Sequence, residues 1–284
     1  MIAAKAPAKL NLFFEVGRRR ADGYHDVLSL YQALDLFEEV HTEPAENWQV
    51  SVVGDLPQAD LDLVPRDETN LVVKAAKALA LAAGIHNPQP MHFQIVKRVP
   101  AAGGVAGGSA DAAAAMVALN EAWCLGLDFE QLTKVAAQLG ADVPFALLGG
   151  TAIGVGSGVE LKRIDSLPNQ NVLLVFSTPG ISTKESFAVF DELYPNGDIH
   201  SRAEDLLSFD LSLTGRNSLL APALRIRPDL AEVMALGQGA KLSGSGPTIY
   251  FLGGENLHEL QATYHSNGYQ TLLTSFSSSG AELI

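Results

Sequence analysis

Residues 100–113, PAAGGVAGGSADAA, decide the fold, because four glycines fall within six positions at residues 103–108. The stretch follows a predicted strand at 91–99 and continues into a long alanine-rich helix that begins near Ser109. Glycines let the backbone approach a ligand closely and turn its N–H groups inward, and a helix N-terminus adds a positive dipole end. The arrangement favours a phosphate-binding loop over a flexible turn that binds nothing.

Several well-known phosphate loops do not match this stretch. A Walker loop needs a lysine just before its final hydroxyl residue, but here Gly108 precedes Ser109. The spacing GxGxxG is absent, which makes a dinucleotide-binding site a weak interpretation. The strings HRD and DFG are absent too, which argues against the protein-kinase fold.

Composition narrows the class of protein further. The chain has 284 residues, of which 47% are hydrophobic and 18% are charged, so it can build a sizeable core. Its net charge of −13 disfavours nucleic acid as a partner. One cysteine, Cys124, allows neither an internal disulfide framework nor a cysteine-rich zinc site, and we expect it to be buried. No signal peptide or membrane span is evident, so we expect a cytoplasmic protein without a membrane partner.

Elements outside the glycine stretch indicate an α+β fold with antiparallel strand pairs. The alternation at 9–16 predicts a strand with Lys9 and Asn11 on one face, and with Leu10, Leu12, Phe14 and Val16 on the other. Further strands are predicted at 27–31, 37–41, 49–53, 159–162, 172–176, 248–252 and 269–274. Helices are predicted from about residue 70 to 83, at 129–139, from 142, from about 184 and at 256–266. Strands in runs, with helices interspersed, favour α+β over a doubly wound sheet.

A glycine-dense segment at 149–158, GGTAIGVGSG, is the clearest sign of a break between structural elements outside the first loop. We place a domain boundary near it. The predicted domains are residues 1–153 and 154–284.

Motifs in three parts of the chain together resemble the GHMP small-molecule kinases. They are KAPAKLNL at 5–12, the glycine stretch at 100–113 and KLSGSGPT at 241–248, in the order found in that family. The resemblance implies a two-domain α+β fold with the active site in the cleft between the domains, and it implies ATP and Mg²⁺. The residues that it assigns to the ATP phosphates are Pro100, Ala101, Ala102, Gly103, Gly104, Val105, Ala106, Gly107, Gly108 and Ser109. Members often carry Gly, Leu, Gly and Ser where this chain has Ala102, Val105, Ala106 and Ala110.

Phosphoryl transfer to an alcohol requires a proton acceptor and a group that neutralises negative charge. Asp142 lies at a predicted helix start, where its ordinary role would be that of a helix cap. Lys9 would by default be an exposed strand lysine. Both positions match the family's catalytic residues, which implies that Asp142 is the base and that Lys9 lies beside it.

The segment at 20–25, RADGYH, resembles one branch of the family, whose alcohol substrate carries a cytidine diphosphate group. This resemblance implies that Tyr24 and His25 form the cytosine site, with Phe187 as the other wall and Thr183 near it. Asn11 would hold the acceptor hydroxyl, although an ordinary strand amide is an equal alternative.

Other functions remain open at this level. One is a GHMP kinase acting on mevalonate, homoserine or a sugar, against which the RADGYH segment argues. Another is a ligand sensor without activity, although the chain keeps both Lys9 and Asp142. A decarboxylating lyase is the least favoured. We expect a monomer or a weak homodimer with a small-molecule substrate.

Overall fold

The structure is a computed structural model and describes residues 1–209, 211–254 and 256–284. Its strands are β1 (Ile2–Arg19), β2 (His25–Pro44), β3 (Gln49–Gly54), β4 (Met91–Lys97), β5 (Thr151–Val155), β6 (Glu160–Arg163), β7 (Asn171–Phe176), β8 (Lys241–Leu242), β9 (Ile249–Leu252), β10 (Gln270–Ser275) and β11 (Glu282–Leu283). Its helices are α1 (Gln58–Leu61), α2 (Leu71–Ala82), α3 (Gly107–Ala122), α4 (Phe129–Leu139), α5 (Val143–Leu148), α6 (Thr183–Leu193), α7 (Leu220–Ile226), α8 (Leu230–Ala235) and α9 (Leu257–Ser266). Short 3₁₀ turns lie at Ala203–Ser208 and Leu211–Leu213.

The strands form two sheets. The first has the order β11-β1-β2-β4-β3, and β5 pairs with β2 and with β6. The second has the order β10-β7-β9-β8 and is antiparallel throughout. Only the β3–β4 pair among the described strands is parallel, which confirms the predicted α+β class.

The long strand β1 does not keep a single alternation along its length. Its pairing with β2 shifts between Asn11 and Phe13, which marks a β-bulge. Phe13 therefore packs in the core cluster of Leu10 and Leu12, while Phe14 packs elsewhere with Val16. The predicted faces were right for residues 9–12, but Phe14 and Val16 do not continue the row of Leu10 and Leu12. The shift turns Phe14 towards the cavity that Lys9 and Asn11 also line.

The two sheets pack against each other through apolar side chains. Val172, Leu174 and Tyr250 of the second sheet share a buried cluster with Leu10 and Leu30 of the first. The opposite face of the second sheet packs on α7, α8 and α9. Alternate residues of β7 thus enter two different cores, as the period of two in a strand requires.

Helix α3 lies in a buried core beside the first sheet, and its small side chains allow that position. It contacts β1, β2, α2 and α5, and its alanines at 110 and 112–115 are completely buried. Because neighbours lie on several sides, bulky side chains would not fit around most of its circumference. The burial of α3 fixes the glycine loop at its N-terminus against the sheet.

Most predicted elements are confirmed, and the differences have local causes. The two strands predicted at 27–31 and 37–41 are one bent strand, β2, whose halves pair with β5 and β4. Helices α1, α7 and α8 were not predicted. Cys124 is exposed rather than buried, so that interpretation was wrong; it lies past the end of α3 with a left-handed backbone (φ 50°).

In the described part of the chain, no helix has the length and apolar character needed to span a membrane.

Helix capping follows the sequence closely. Asn70 accepts a hydrogen bond from Val72 N at the start of α2, and Asp128 forms a capping box with Gln131 at the start of α4.

The domain boundary at 153/154 stays a prediction. Beyond it along the chain, β6 and β11 both pair within the first sheet.

The C-terminal segment crosses the end of α5 at very short range. A Cβ built on Gly149 would lie 2.1 Å from Ser279 O, and one on Gly280 would lie 2.1 Å from Leu147 O. Gly149 also has φ 65°, which favours glycine. Close backbone contact therefore holds the short helix that follows Asp142.

We predict that Gly149→Ala lowers the free energy of unfolding by roughly 3 kcal/mol, because the methyl group adds a clash to an unfavourable φ. Gly84→Ala is the matched control: it has φ 76° but no atom within 4 Å of the new Cβ, and should cost about 1 kcal/mol. Urea unfolding of both variants measures the difference. Equal losses would show that the contact with the C-terminal segment contributes nothing.

Candidate active site

A buried lysine forms the centre of the candidate site. Lys9, on β1, is only 4% exposed. Its Nζ donates to Asn11 Oδ1 at 2.6 Å and lies 3.5 Å from Asp142 Oδ2. It also lies 5.5 Å from the centre of the Tyr31 ring. Because a buried ammonium group is costly without partners, these contacts are what allow Lys9 to stay charged in the interior.

Asn11 is held in turn by the strand beside it. Its Nδ2 donates to Ser29 Oγ at 2.7 Å, and Ser29 Oγ donates to Phe13 O at 3.1 Å. This chain of hydrogen bonds fixes which atom of the Asn11 amide faces Lys9. The Lys9 ammonium group therefore has a defined position relative to the cavity.

Asp142 is placed at the start of α5, but it does not cap that helix. Its side chain makes no capping hydrogen bond, and its backbone is already helical (φ −88°, ψ −12°). The helix instead has Pro144 in its first turn, where the missing N–H is no loss. The carboxylate, with about a third of its side chain exposed, is therefore directed to Lys9 and is free for chemistry.

Tyr31 is a neighbour that the sequence did not reveal. It is 2% exposed and its ring stacks on Phe145 of α5, with ring centres 5.1 Å apart. Burial, together with the charge of Asp142, holds the pKa of the Tyr31 hydroxyl well above its usual range. Tyr31 therefore stays neutral. It lines the cavity, and its contact with Phe145 packs α5, the helix that follows Asp142, against β2.

The glycine loop is tied by its backbone to the two other motifs. Val105 O accepts from Lys9 N at 3.0 Å. Gly103 O accepts from Thr248 N at 3.0 Å, and Gly104 O accepts from Ser243 Oγ at 2.9 Å. Segments far apart in sequence thus converge on one loop and hold it by hydrogen bonds.

Two alanines in the loop occupy positions that favour glycine. Ala102 and Ala106 have φ of 55° and 62°, in the left-handed region where a Cβ costs roughly 1–2 kcal/mol. Both stand where GHMP kinases often carry glycine. The substitutions therefore keep the backbone path of the loop and add some strain to it.

The loop and the Lys9 cluster line one cavity of about 340 Å³. Its lining includes Lys9, Asn11, Asp142, Thr183, Phe187, Ala102, Gly103, Gly104, Ala106, Gly107, Gly108 and Ser109. The other expected loop residues, Pro100, Ala101 and Val105, are not in this lining. Val105 is 1% exposed and packs into the core instead. Gly244 and Ser245, which the sequence analysis did not assign, also line the cavity.

A second cavity, of about 760 Å³, adjoins the first and is lined by Tyr24 and His25. The two share Val27, Ala141, Ser157, Thr183 and Phe187. The His25 and Phe187 rings face each other with centres 4.9 Å apart and a 35° tilt. Tyr24 is 65% exposed. All the residues predicted for substrate binding are therefore distributed around two connected cavities.

Asp191 is a residue that the sequence analysis missed. It lies one turn after Phe187 on α6, and its Oδ1 is 2.7 Å from His25 Nε2. An Asp four residues after an aromatic residue on one helix is a weak signal, which only the fold makes specific. Hydrogen bonding to Asp191 leaves Nδ1 as the free nitrogen of His25.

Among the described residues, no group of three or more His, Cys, Asp or Glu side chains is arranged to hold a metal ion. The described residues thus include no acidic cluster that could form a cage for magnesium. An ion that enters with a nucleotide would be held chiefly by phosphate oxygens and water.

Comparison with known proteins places the chain in a family. Residues 70–150 match the GHMP kinases N terminal domain. The chain is 42% identical over 274 residues to a 4-diphosphocytidyl-2-C-methyl-D-erythritol kinase of Leifsonia xyli, a match that covers 88% of this chain and 87% of the relative. It is 39% identical to the Nocardioides protein of the same name, over 95% of both chains. The chain belongs to the GHMP kinase family, with the 4-diphosphocytidyl-2-C-methyl-D-erythritol kinases. It is a small-molecule kinase, for which the family implies ATP as a substrate.

Solved structures agree with this assignment of the GHMP kinase fold. A crystal structure of 4-(cytidine 5'-diphospho)-2C-methyl-D-erythritol kinase has a TM-score of 0.73 and 29% identity, and the match covers 97% of this chain and 99% of that one. A homoserine kinase from Cytophaga hutchinsonii has a TM-score of 0.71 at 17% identity, over 100% and 97% of the two chains. The second likeness shows the shared fold alone.

Substitutions at two loop glycines separate the shape of the GHMP loop from its contact with ATP. A Cβ on Gly104 would lie 2.4 Å from Ser243 O, whereas one on Gly108 meets nothing within 4 Å. We predict that Gly104→Ala lowers the free energy of unfolding by roughly 2 kcal/mol. Gly108→Ala should leave it unchanged or raise it by up to ~1 kcal/mol, since it lies within α3.

Enzyme kinetics supply the second measurement on these variants. Gly108→Ala should raise KM for ATP about tenfold, because its methyl group occupies space needed by the phosphates. An unchanged KM in a stable Gly108→Ala protein would contradict phosphate binding at this point of the loop.

Proposed function

We propose that this kinase transfers the γ-phosphoryl group of ATP to the 2-hydroxyl of 4-diphosphocytidyl-2-C-methyl-D-erythritol, a step of non-mevalonate isoprenoid biosynthesis. The observation that carries the proposal is the Lys9–Asp142 pair, 3.5 Å apart, in a cavity between the glycine loop and the His25 pocket. The printed names of its relatives supply the substrate.

Asp142 is the proposed general base. The substrate 2-hydroxyl gives its proton to the Asp142 carboxylate as its oxygen attacks the γ-phosphorus. A bond forms between that oxygen and phosphorus, and the bond from phosphorus to the β,γ-bridging oxygen breaks, so ADP leaves. The absence of a capping bond at Asp142 supports this role, since its carboxylate is not engaged with the backbone N–H groups of α5.

Lys9 has two proposed tasks. Its ammonium group holds the Asp142 carboxylate in position by their 3.5 Å contact, and it stabilises negative charge on the acceptor oxygen. The burial of Lys9 supports the second task, because a charge acts more strongly in an environment poor in water. Asn11, which bonds to Lys9, would hold the same hydroxyl in place.

The glycine loop is the proposed site of the ATP phosphates. The chain has a net charge of −13, so an anion needs a local source of positive potential. Backbone N–H groups of the loop and the N-terminus of α3, a helix of 16 residues, supply one. The open space around Gly108 supports the presence of a ligand there.

The second cavity is the proposed cytidine site. Phe187 offers one aromatic face for the base, and Tyr24 can close over the other because its ring is exposed. When Nε2–H of His25 donates a hydrogen bond to Asp191, the free Nδ1 of His25 accepts a hydrogen bond from the cytosine amino group. Thr183 lines both cavities and would contact the diphosphate between them.

MgATP is the proposed nucleotide substrate, with the ion bound through the phosphates rather than by a protein cage. We propose the cytoplasm as the location, where ATP is available, and a monomer or weak homodimer as the working form. Other GHMP substrates such as homoserine or mevalonate lack the cytidine for which the second cavity has room. A sensor without activity would not need a buried lysine beside a free carboxylate.

We predict that Asp142→Asn folds normally and loses turnover by a factor of roughly 10²–10⁴, because the amide cannot accept the proton. The matched control is Asp128→Asn, at the start of α4. Residue 128 lies outside both cavities, and an asparagine there can still cap the helix. Steady-state kcat and the thermal midpoint of both variants give the comparison. Full turnover in Asp142→Asn would refute the base assignment.

We predict that His25→Ala raises KM for the cytidyl substrate about tenfold and leaves KM for ATP within about twofold, because His25 lines the second cavity and not the glycine loop. His86→Ala, at an exposed position outside the described cavities, is the control and should change neither constant. Equal increases in both KM values for His25→Ala would count against the cytosine site.

A further inference from the structure

Beneath the glycine loop lies a cluster of charged side chains for which the proposed reaction has no use. Lys97 Nζ is 2.8 Å from Asp111 Oδ2 and 3.2 Å from Glu38 Oε2. The three residues are at most 3% exposed. We refer to Glu38, Lys97 and Asp111 as the buried triad.

The buried triad contacts both ends of the loop. At the entry, Glu38 Oε1 accepts from Val99 N at 3.0 Å, and its carboxylate also accepts from Arg98 N at 3.3 Å. At the exit, Asp111 belongs to the second turn of α3, just after Ser109. Lys97 joins the two, because it donates to Asp111 and pairs with Glu38.

Gly107, the first residue of α3, lies directly against the triad. A Cβ at this position would be 3.1 Å from Lys97 Nζ and 3.3 Å from Glu38 Oε1. Side chains of the triad, together with Val99, therefore pack against the first residue of α3. The middle of the loop is held by other hydrogen bonds, which it accepts from Lys9, Ser243 and Thr248.

Placing these charges in the core is expensive, which argues for a role beyond stability. Burial raises the pKa of both Glu38 and Asp111, and Lys97 opposes that rise. Within the described part of the chain, Asp111 Oδ1 has no hydrogen-bond partner. Apolar residues of similar size would often be as stable as such a cluster.

We propose that the buried triad positions the phosphate loop, and that Asp111 is the positioning residue which sets the start of α3 relative to the loop entry. The proposal rests on the loop binding ATP phosphates, as proposed above. The N–H groups at 107–109 point to the phosphates only while α3 begins at a fixed distance from β4. The ion pairs of Lys97 with Asp111 and with Glu38 fix that distance.

The test compares Asp111→Ala with Asp111→Asn. In both variants Lys97 keeps Glu38 as a partner, so no unpaired buried charge is created. The alanine variant loses the tie to α3, whereas the amide oxygen of asparagine still accepts from Lys97. We expect Asp111→Ala to raise KM for ATP about tenfold and Asp111→Asn to restore it to within about twofold of the original value. KM for the cytidyl substrate should change less than about twofold in either.

Hydrogen exchange of the loop amides without nucleotide is the second readout. Exchange at residues 103–109 should be faster in Asp111→Ala and close to the original rate in Asp111→Asn. The control for a general loss of stability is Tyr264→Phe, which removes a buried hydrogen bond to Val233 O in the distant α8–α9 region. It should lower the thermal midpoint without changing either KM or the exchange of the loop.

The outcomes separate this inference from the proposed function. Unchanged loop exchange in Asp111→Ala overturns the inference, whatever the value of KM. Faster exchange with an unchanged KM for ATP overturns the assignment of the loop to the phosphates, and with it the role of the triad in the reaction. If the alanine variant does not fold, Asp111→Ser replaces it, because a short hydroxyl side chain suits the early turns of a helix but does not reach Lys97.

Discussion

Lys9 is the residue at which the distant parts of this chain meet. Its backbone N–H donates to Val105 of the glycine loop, and its side chain contacts Asp142 at the start of α5. A lysine that is 4% exposed needs polar partners for its ammonium group, here Asn11 and Asp142, because a buried charge without them is costly. The requirement of this buried cation for partners thus holds the start of α5 against β1, while the Lys9 backbone holds the glycine loop.

That requirement explains features that would otherwise look unrelated. The β-bulge after Asn11 lets two polar residues face the cavity while the strand continues into the core with Phe13. The Asp142 side chain does not cap α5, and this helix has a proline in its first turn instead. The C-terminal segment packs backbone to backbone on Gly149 and holds α5 from the other end. Each device costs some local stability and gains a fixed distance between a carboxylate and an ammonium group.

Two groups of charges lie beside the glycine loop, and their surroundings differ. Lys9 and Asp142 border a cavity, and about a third of the Asp142 side chain is open to it. The buried triad has no access to solvent, and its carboxyl pKa values are raised by burial. The role proposed for the first group is to exchange a proton with a substrate, and the role proposed for the second is to hold the backbone in place. Burial, rather than residue type, assigns the two roles.

The sequence by itself determined the strand-loop-helix around residues 100–113, the α+β class and most helix starts, because these depend on local periodicity, glycine content and caps. Its resemblance to the GHMP kinases also singled out Lys9, Asp142 and His25. Only the tertiary structure decided that Asp142 is not a cap, that Phe14 leaves the row of Leu10, and that Asp191 meets His25. The reason is physical: a bulge, a buried pair and a contact across 166 residues depend on which segments the fold brings together. Local sequence carries no trace of that choice.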